Sequence, residues 1–163
     1  MPELTSLQNP RVKSIVRLRA DKRQRERDGL MLVEGRYELE LALASGIHPR
    51  EVYYCEELAG GKTVPGLDLE PVTVARHVFE KMSHREGPDG WLAVVPIPHR
   101  TLDSLPLSAA PFLILAESVE KPGNLGAILR TADAAGVDAL LVCNPRTDAY
   151  NPNAVRASRG VSV

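Results

Sequence analysis

Aromatic residues are scarce in this chain. They make up 4% of its 163 residues, as one tryptophan, four tyrosines and two phenylalanines. So few rings argue against nucleic-acid binding that rests mainly on base stacking. Cysteine is scarcer still, with Cys55 and Cys143 the two present. Both lie in apolar strand-like runs and read as buried free thiols, and no zinc-type spacing exists. The histidines, His48, His77, His84 and His99, are scattered without a carboxylate at motif spacing, so no metal is indicated. The formal net charge is −1, so the whole chain exerts no general pull on a polyanion. No apolar run approaches the roughly 18 residues that cross a bilayer, and residues 1–10 lack an apolar signal core. A cytoplasmic protein without a membrane partner is expected. Gly60-Gly61-Lys62-Thr63 ends like a phosphate loop, but Glu56 stands where the first glycine belongs. With no dinucleotide fingerprint either, a nucleotide-binding enzyme is disfavoured.

What is present is ordinary globular composition, 44% apolar and 25% charged. The length suits one domain or two small ones. Charge is local: residues 11–27 hold eight Lys/Arg against Asp21 and Glu26. That stretch reads as one basic helix, with Asn9 as its cap and Pro10 at its first position. Val12, Ile15 and Val16 form its apolar stripe, and Arg11, Lys13 and Arg17 fall largely outside it. It is either a solvated charged face or a phosphate-binding one.

Strands and helices then alternate. Leu30 to Val33 reads as a buried strand, and Glu34-Gly35 turns into a helix from about Arg36 to Ser45. Glu51 to Cys55 reads as a strand, residues 59–66 as loop, and Pro71 to Val74 as a short strand. A helix near residues 75–82 and a strand from Trp91 to Val95 follow. The alternation argues for α/β architecture. Prolines 96, 98, 106 and 111 mark a linker over residues 97–110. The domains expected are therefore 1–96 and 111–163.

The second segment carries the chemistry. Phe112 to Ala116 is a buried-strand run, followed by a Pro-Gly-Asn turn, a short helix and a second apolar run from Ala139 to Val142. This is a strand–loop–helix–strand unit that closes as a parallel crossover. Open α/β sheets place ligands at the loop after the first strand. Leu125, Ile128, Leu129 and Ala132 share one helical face, while Gly126, Arg130 and Asp133 lie on another. Spacing alone makes Arg130 a solvated partner of Asp133 and Asn124 a helix cap. Glu117 is either an orienting carboxylate or a loop acid pairing with Lys121. Asn151-Pro152 opens a further helix.

The motif closely resembles the first signature of the SpoU/TrmH family of RNA ribose 2′-O-methyltransferases, through Pro122, Asn124, Gly126, Arg130, Thr131, Ala132 and Gly136-Val137. Residues 9–18 and 32–43, with the strand near 87–95, resemble the small substrate-binding domain that precedes catalysis in many members. The resemblance implies a small N-terminal α/β RNA-binding domain and the first part of an α/β-knot (SPOUT) methyltransferase domain. It implies methyl transfer from S-adenosyl-L-methionine to a ribose 2′-hydroxyl of ribosomal or transfer RNA. It makes Asn124 and Arg130 catalytic, with Arg130 activating the hydroxyl. RNA contacts are then expected from Arg11, Lys13, Arg17, Arg36, Lys121, Arg156 and Ser158, with Gly160 in the same block as the last two.

The family's later motifs, which hold the methyl donor and complete a knotted end used for dimerisation, have no counterpart before Val163. The expectation is that the donor-binding residues lie outside the chain and that a homodimer is doubtful. The alternative is an RNA-binding fragment without a donor site, whose half sheet leaves an unpaired apolar edge.

Overall fold

The computed structural model describes residues 2–99, 101–105 and 107–159. The chain divides into two compact units, residues 1–97 and 98–163.

The first unit opens with two helices, α1 (Pro10–Ala20) and α2 (Lys22–Asp28). The single basic helix expected over 11–27 is broken at Asp21, whose extended backbone and side chain cap α2 by accepting the Arg23 N–H. An aspartate competes well for that role because its short side chain bonds nearby backbone. The order continues as β1 (Leu30–Glu34), α3 (Arg36–Ala44), β2 (Glu51–Tyr54), α4 (Glu56–Ala59), β3 (Val72–Thr73), α5 (Arg76–Met82) and β4 (Trp91–Pro96). Helix α4 lies between the expected strand and the expected loop, overlapping the loop only at Ala59, and Gly60 closes it in the left-handed conformation. The Gly-Gly-Lys-Thr stretch is thus a helix stop rather than a phosphate loop.

The sheet order is β1-β4-β2-β3. Strand β4 pairs antiparallel with β1 and β2, and β2 pairs parallel with β3. Strand β4 is buried on both faces up to Val95, as its unbroken apolar run WLAVV requires. One face packs Leu32, Leu92 and Val94 with Val12, Ile15 and Leu18 of α1 and Val78, Phe79 and Met82 of α5. The alternate residues Met31, Val33, Ala93 and Val95 are also fully buried, and α3 packs on β1 and β4.

The second unit holds a 3-10 turn (Leu102–Ser104), β5 (Leu113–Glu117), α6 (Pro122–Ala134), β6 (Ala139–Cys143) and α7 (Pro152–Ser158). Strands β5 and β6 are parallel, in register from Leu113↔Ala139 to Glu117↔Cys143. The crossover is therefore as expected, but its first strand is not buried throughout. Ala116 is buried, whereas Phe112 is 52% and Leu115 69% exposed. An apolar run states that a strand suits burial; it does not supply a second layer. Asp138 ties the start of β6 to the preceding segment by accepting from the backbone N–H groups of Phe112 and Ser108 at 2.8 and 3.2 Å.

Candidate active site and nucleic-acid interface

Helix α6 starts at Pro122, whose fixed φ and missing N–H suit a first helical position. The cap residue is Lys121, which makes no side-chain capping bond. Asn124 is therefore not the cap. It lies within the first turn, exposed, with its backbone N–H on the Lys121 carbonyl at 3.0 Å. Its carboxamide has no protein partner among the described residues.

The face carrying Gly126 and Arg130 is only partly a solvent face. Gly126 is buried against α7. A Cβ there would stand 2.5 Å from the Ala157 Cβ and 2.6 Å from the Ala154 carbonyl oxygen. Only a hydrogen in place of a side chain permits that approach. Arg130 is exposed, and its Nη1 donates to the carbonyl oxygen of Ala157 at 3.2 Å. Asp133, the partner that spacing suggested, makes no ion pair with it among the described residues; the carbonyl near the end of α7 takes that place.

Helix α7 is capped by Asn151, which accepts the Asn153 N–H at 2.9 Å, with Pro152 following. Ser158 is fully buried and its hydroxyl donates to the Val155 carbonyl at 2.8 Å, so it faces packing rather than solvent. Arg156 is exposed. Gly160 lies outside the described residues.

At the carboxyl ends of the parallel strands, Glu117 accepts from the Asn144 amide at 2.8 Å. Lys121, the alternative partner, does not contact it and is exposed. Ser118 and Asn144 both hold left-handed backbone, φ 52° and 45°. Strain of this kind gathers where a loop must take one particular path. Sequence reasoning missed Asn144, although an asparagine after a strand run is a residue that tolerates this conformation.

In the first unit the basic residues divide by role. Lys13 and Arg17 stand four apart on the exposed face of α1, without an acidic partner among the described residues. Arg11 is also exposed and pairs with Glu3 at 3.4 Å. Arg25 is 2% exposed and donates to the carbonyls of Leu18 and Arg19 at 2.6 and 2.9 Å, closing the end of α1. Arg19 donates to the carbonyls of Lys81, at 2.9 Å, and Ser83 beyond α5. These two roles were missed; cations at helix C-termini were the available signal.

Arg36 is not free. Its guanidinium bonds Glu40 at 2.6 Å and the Thr63 carbonyl at 3.2 Å, and its backbone N–H is held by Asp89. Gly35, at φ +116°, lies under the Arg85 guanidinium, 2.6 Å from where a Cβ would stand. Glu34 accepts from the Ser83 hydroxyl and from the N–H groups of His84 and Arg85, at 2.8 and 3.3 Å. The Glu34-Gly35-Arg36 stretch is thus first a device of turn geometry. Burial also raises the Cys55 thiol above its ordinary pKa, which keeps it protonated and unreactive.

The second unit therefore brings Lys121, Asn124, Arg130, Arg156 and Ser158 onto or beside one helix pair, while Arg11, Lys13 and Arg17 share a helix of the first unit and Arg36 stands on another. These features define a two-unit α/β protein with a compact four-stranded unit and a parallel strand–helix–strand unit bearing polar groups on its helix. Residues 9–93 match the MRM3-like substrate binding domain, and residues 111–162 match the SpoU rRNA Methylase family. The chain belongs to the SpoU rRNA methylase family.

Among its relatives is the 23S rRNA (guanosine(2553)-2'-O)-methyltransferase of Bacillus subtilis, 30% identical over 98% of this chain and 62% of that protein. The human mitochondrial rRNA methyltransferase 3 is 29% identical over 92% of this chain and 37% of its own length. A crystal structure of an RNA 2'-O ribose methyltransferase superposes with TM-score 0.80 at 38% identity, over 98% of this chain and 62% of that one. The AdoMet complex of the SpoU methyltransferase AviRb from Streptomyces viridochromogenes gives 0.82 at 27% identity, over 94% and 60%. The chain thus spans less than two thirds of the length of each of these proteins.

Proposed function

We propose that this chain acts in RNA ribose 2′-O-methylation, with S-adenosyl-L-methionine as methyl donor and ribosomal RNA, rather than transfer RNA, as substrate. The observation that carries the reading is the placement of Asn124 and Arg130 on α6, between parallel strands and with Arg130 fixed on α7. The names of the relatives support the substrate class and favour this reading over an inactive RNA-binding fragment. The cytoplasm is the corresponding compartment.

Arg130 works as a fixed donor. A guanidinium stays charged and is a poor general base at any physiological pH. One N–H is committed to Ala157, which sets the plane of the group. The remaining donors are turned to a phosphate beside the reacting ribose and to the oxygen that gains charge as its proton leaves. Asn124, with its amide unengaged, bonds the ribose, and Lys121 at the helix start attracts phosphate. Lys13 and Arg17 hold the RNA backbone without reading sequence.

The donor, when bound, supplies a sulfonium methyl group. The described residues leave no orphaned buried polar atom that would mark its seat, and the residues named here act on the RNA. The test is transfer of labelled methyl from S-adenosyl-L-methionine to ribosomal RNA. Label retained in dinucleotides that resist alkaline hydrolysis supports the reading. Label on a base, or RNA binding without transfer, overturns it.

A further inference from the structure

Tyr37 is the one exposed residue between Met31 and Leu43. It is 56% exposed, while its charged neighbours Arg36, Glu38 and Glu40 are half-buried. This inverts the usual order, in which rings are covered and charges face water. The other rings of the first unit are all accommodated: Tyr53 and Phe79 lie in the core, and Tyr54 rests on Trp91 with centroids 4.7 Å apart.

The backbone before Tyr37 is well held. Its helix start is fixed by Asp89 on the Arg36 N–H. The adjacent loop is fixed by Glu34 on the N–H groups of His84 and Arg85. Arg85 reaches Glu38 at 3.8 Å, and Arg36 reaches Glu40 at 2.6 Å. Glu34, Glu38, Glu40 and Asp89 are each turned to a backbone N–H or an arginine. What remains outward on this stretch of α3 is the phenol ring of Tyr37, and His84 is exposed on the loop that Glu34 holds.

We propose that Tyr37 is a stacking platform for one unpaired nucleotide of the RNA. The proposal rests on the reading of the first unit as an RNA-binding unit. A tyrosine ring has few rotatable bonds, so it loses little freedom when a base settles on it. Stacking accepts any base, so the site selects an unpaired position rather than a sequence.

The test is binding of the whole chain to a labelled stem–loop RNA and to the fully paired duplex of the same stem, over a series of salt concentrations. Tyr37→Ala should weaken stem–loop binding by about tenfold or more. It should leave duplex binding and the salt slope unchanged, because no phosphate contact is removed. Tyr37→Trp should bind the stem–loop like the wild type. Equal stem–loop binding by Tyr37→Ala overturns the stacking site while leaving the unit's RNA role intact. An equal loss on both RNAs also overturns it. A wild-type chain that binds neither RNA overturns the RNA role and the site together.

Discussion

Arg130 on α6 donates to the carbonyl oxygen of Ala157 on α7 across 3.2 Å. The bond makes the second helix part of the setting of the first. The carbonyl lies near the C-terminus of α7, where the helix dipole is negative and a cation is well placed. A lysine keeps the charge but loses the planar fork that serves a carbonyl and a phosphate at once. Arg130→Lys should lower the rate of methyl transfer by about 100-fold, the scale of one lost transition-state donor, with RNA affinity little changed. Single-turnover kinetics with measured RNA affinity would check this; near-normal turnover would remove Arg130 from the mechanism.

Gly126 lets the same two helices meet. A methyl group at this position must displace the Ala154 carbonyl and the Ala157 side chain of α7, at 2.6 and 2.5 Å. Gly126→Ala gains helix propensity but should still destabilise the protein, by about 1–3 kcal/mol, the usual scale of overpacking. Urea unfolding of the variant is the measurement. A variant as stable as the wild type would mean that α6 and α7 separate without cost.

Two arginines of one basic stretch should behave in opposite ways. Arg25→Ala strands the carbonyls of Leu18 and Arg19 and should cost about 1–3 kcal/mol of stability. Arg17→Ala should leave stability within about 0.5 kcal/mol, since Arg17 is exposed and makes no ion pair among the described residues. It should lower the salt dependence of RNA binding by about one counterion instead. Paired unfolding and binding series on both variants separate the cap from the contact.

Asp138 gives the second unit an acid-sensitive tie. Hydrogen bonds from the Phe112 N–H and then from Ser108 hold its pKa below the ordinary carboxylate value. Its folded-state pKa therefore lies below its unfolded one. The tie stabilises fully above the unfolded pKa of about 3.9 and is lost as pH falls through the lower folded value. Asp138→Asn should be less stable than wild type near neutrality, and the gap should close in acid. Denaturant midpoints taken from neutral pH down to acid follow this; a gap that stays constant would assign the tie to uncharged hydrogen bonding.

The crossover unit was legible because β5, α6 and β6 each agree in local preference and connection, and Pro122 marks the helix start. The apolar face was not, since the run at Phe112 to Ala116 states its own polarity but not whether anything lies over Leu115. The α6–α7 contact escaped sequence reading for a related reason. Gly126 carries no apolar signal, and its meaning comes from a helix 28 residues further on in Ala154. The basic helix was legible as basic, but a count of charges does not separate the buried Arg25 from the exposed Arg17. That division follows from Asp21, which ends one helix and starts the next.

Methyl acceptance should depend on a single oxygen atom. The decisive comparison is between a ribosomal RNA fragment containing the modified nucleotide and the same fragment with 2′-deoxyribose at that nucleotide alone. With S-adenosyl-L-methionine present, the first should be methylated. The second should bind with similar affinity and accept nothing. Methylation of the deoxy fragment would place the methyl group elsewhere and contradict a site in which Asn124 and Arg130 serve the ribose 2′-hydroxyl.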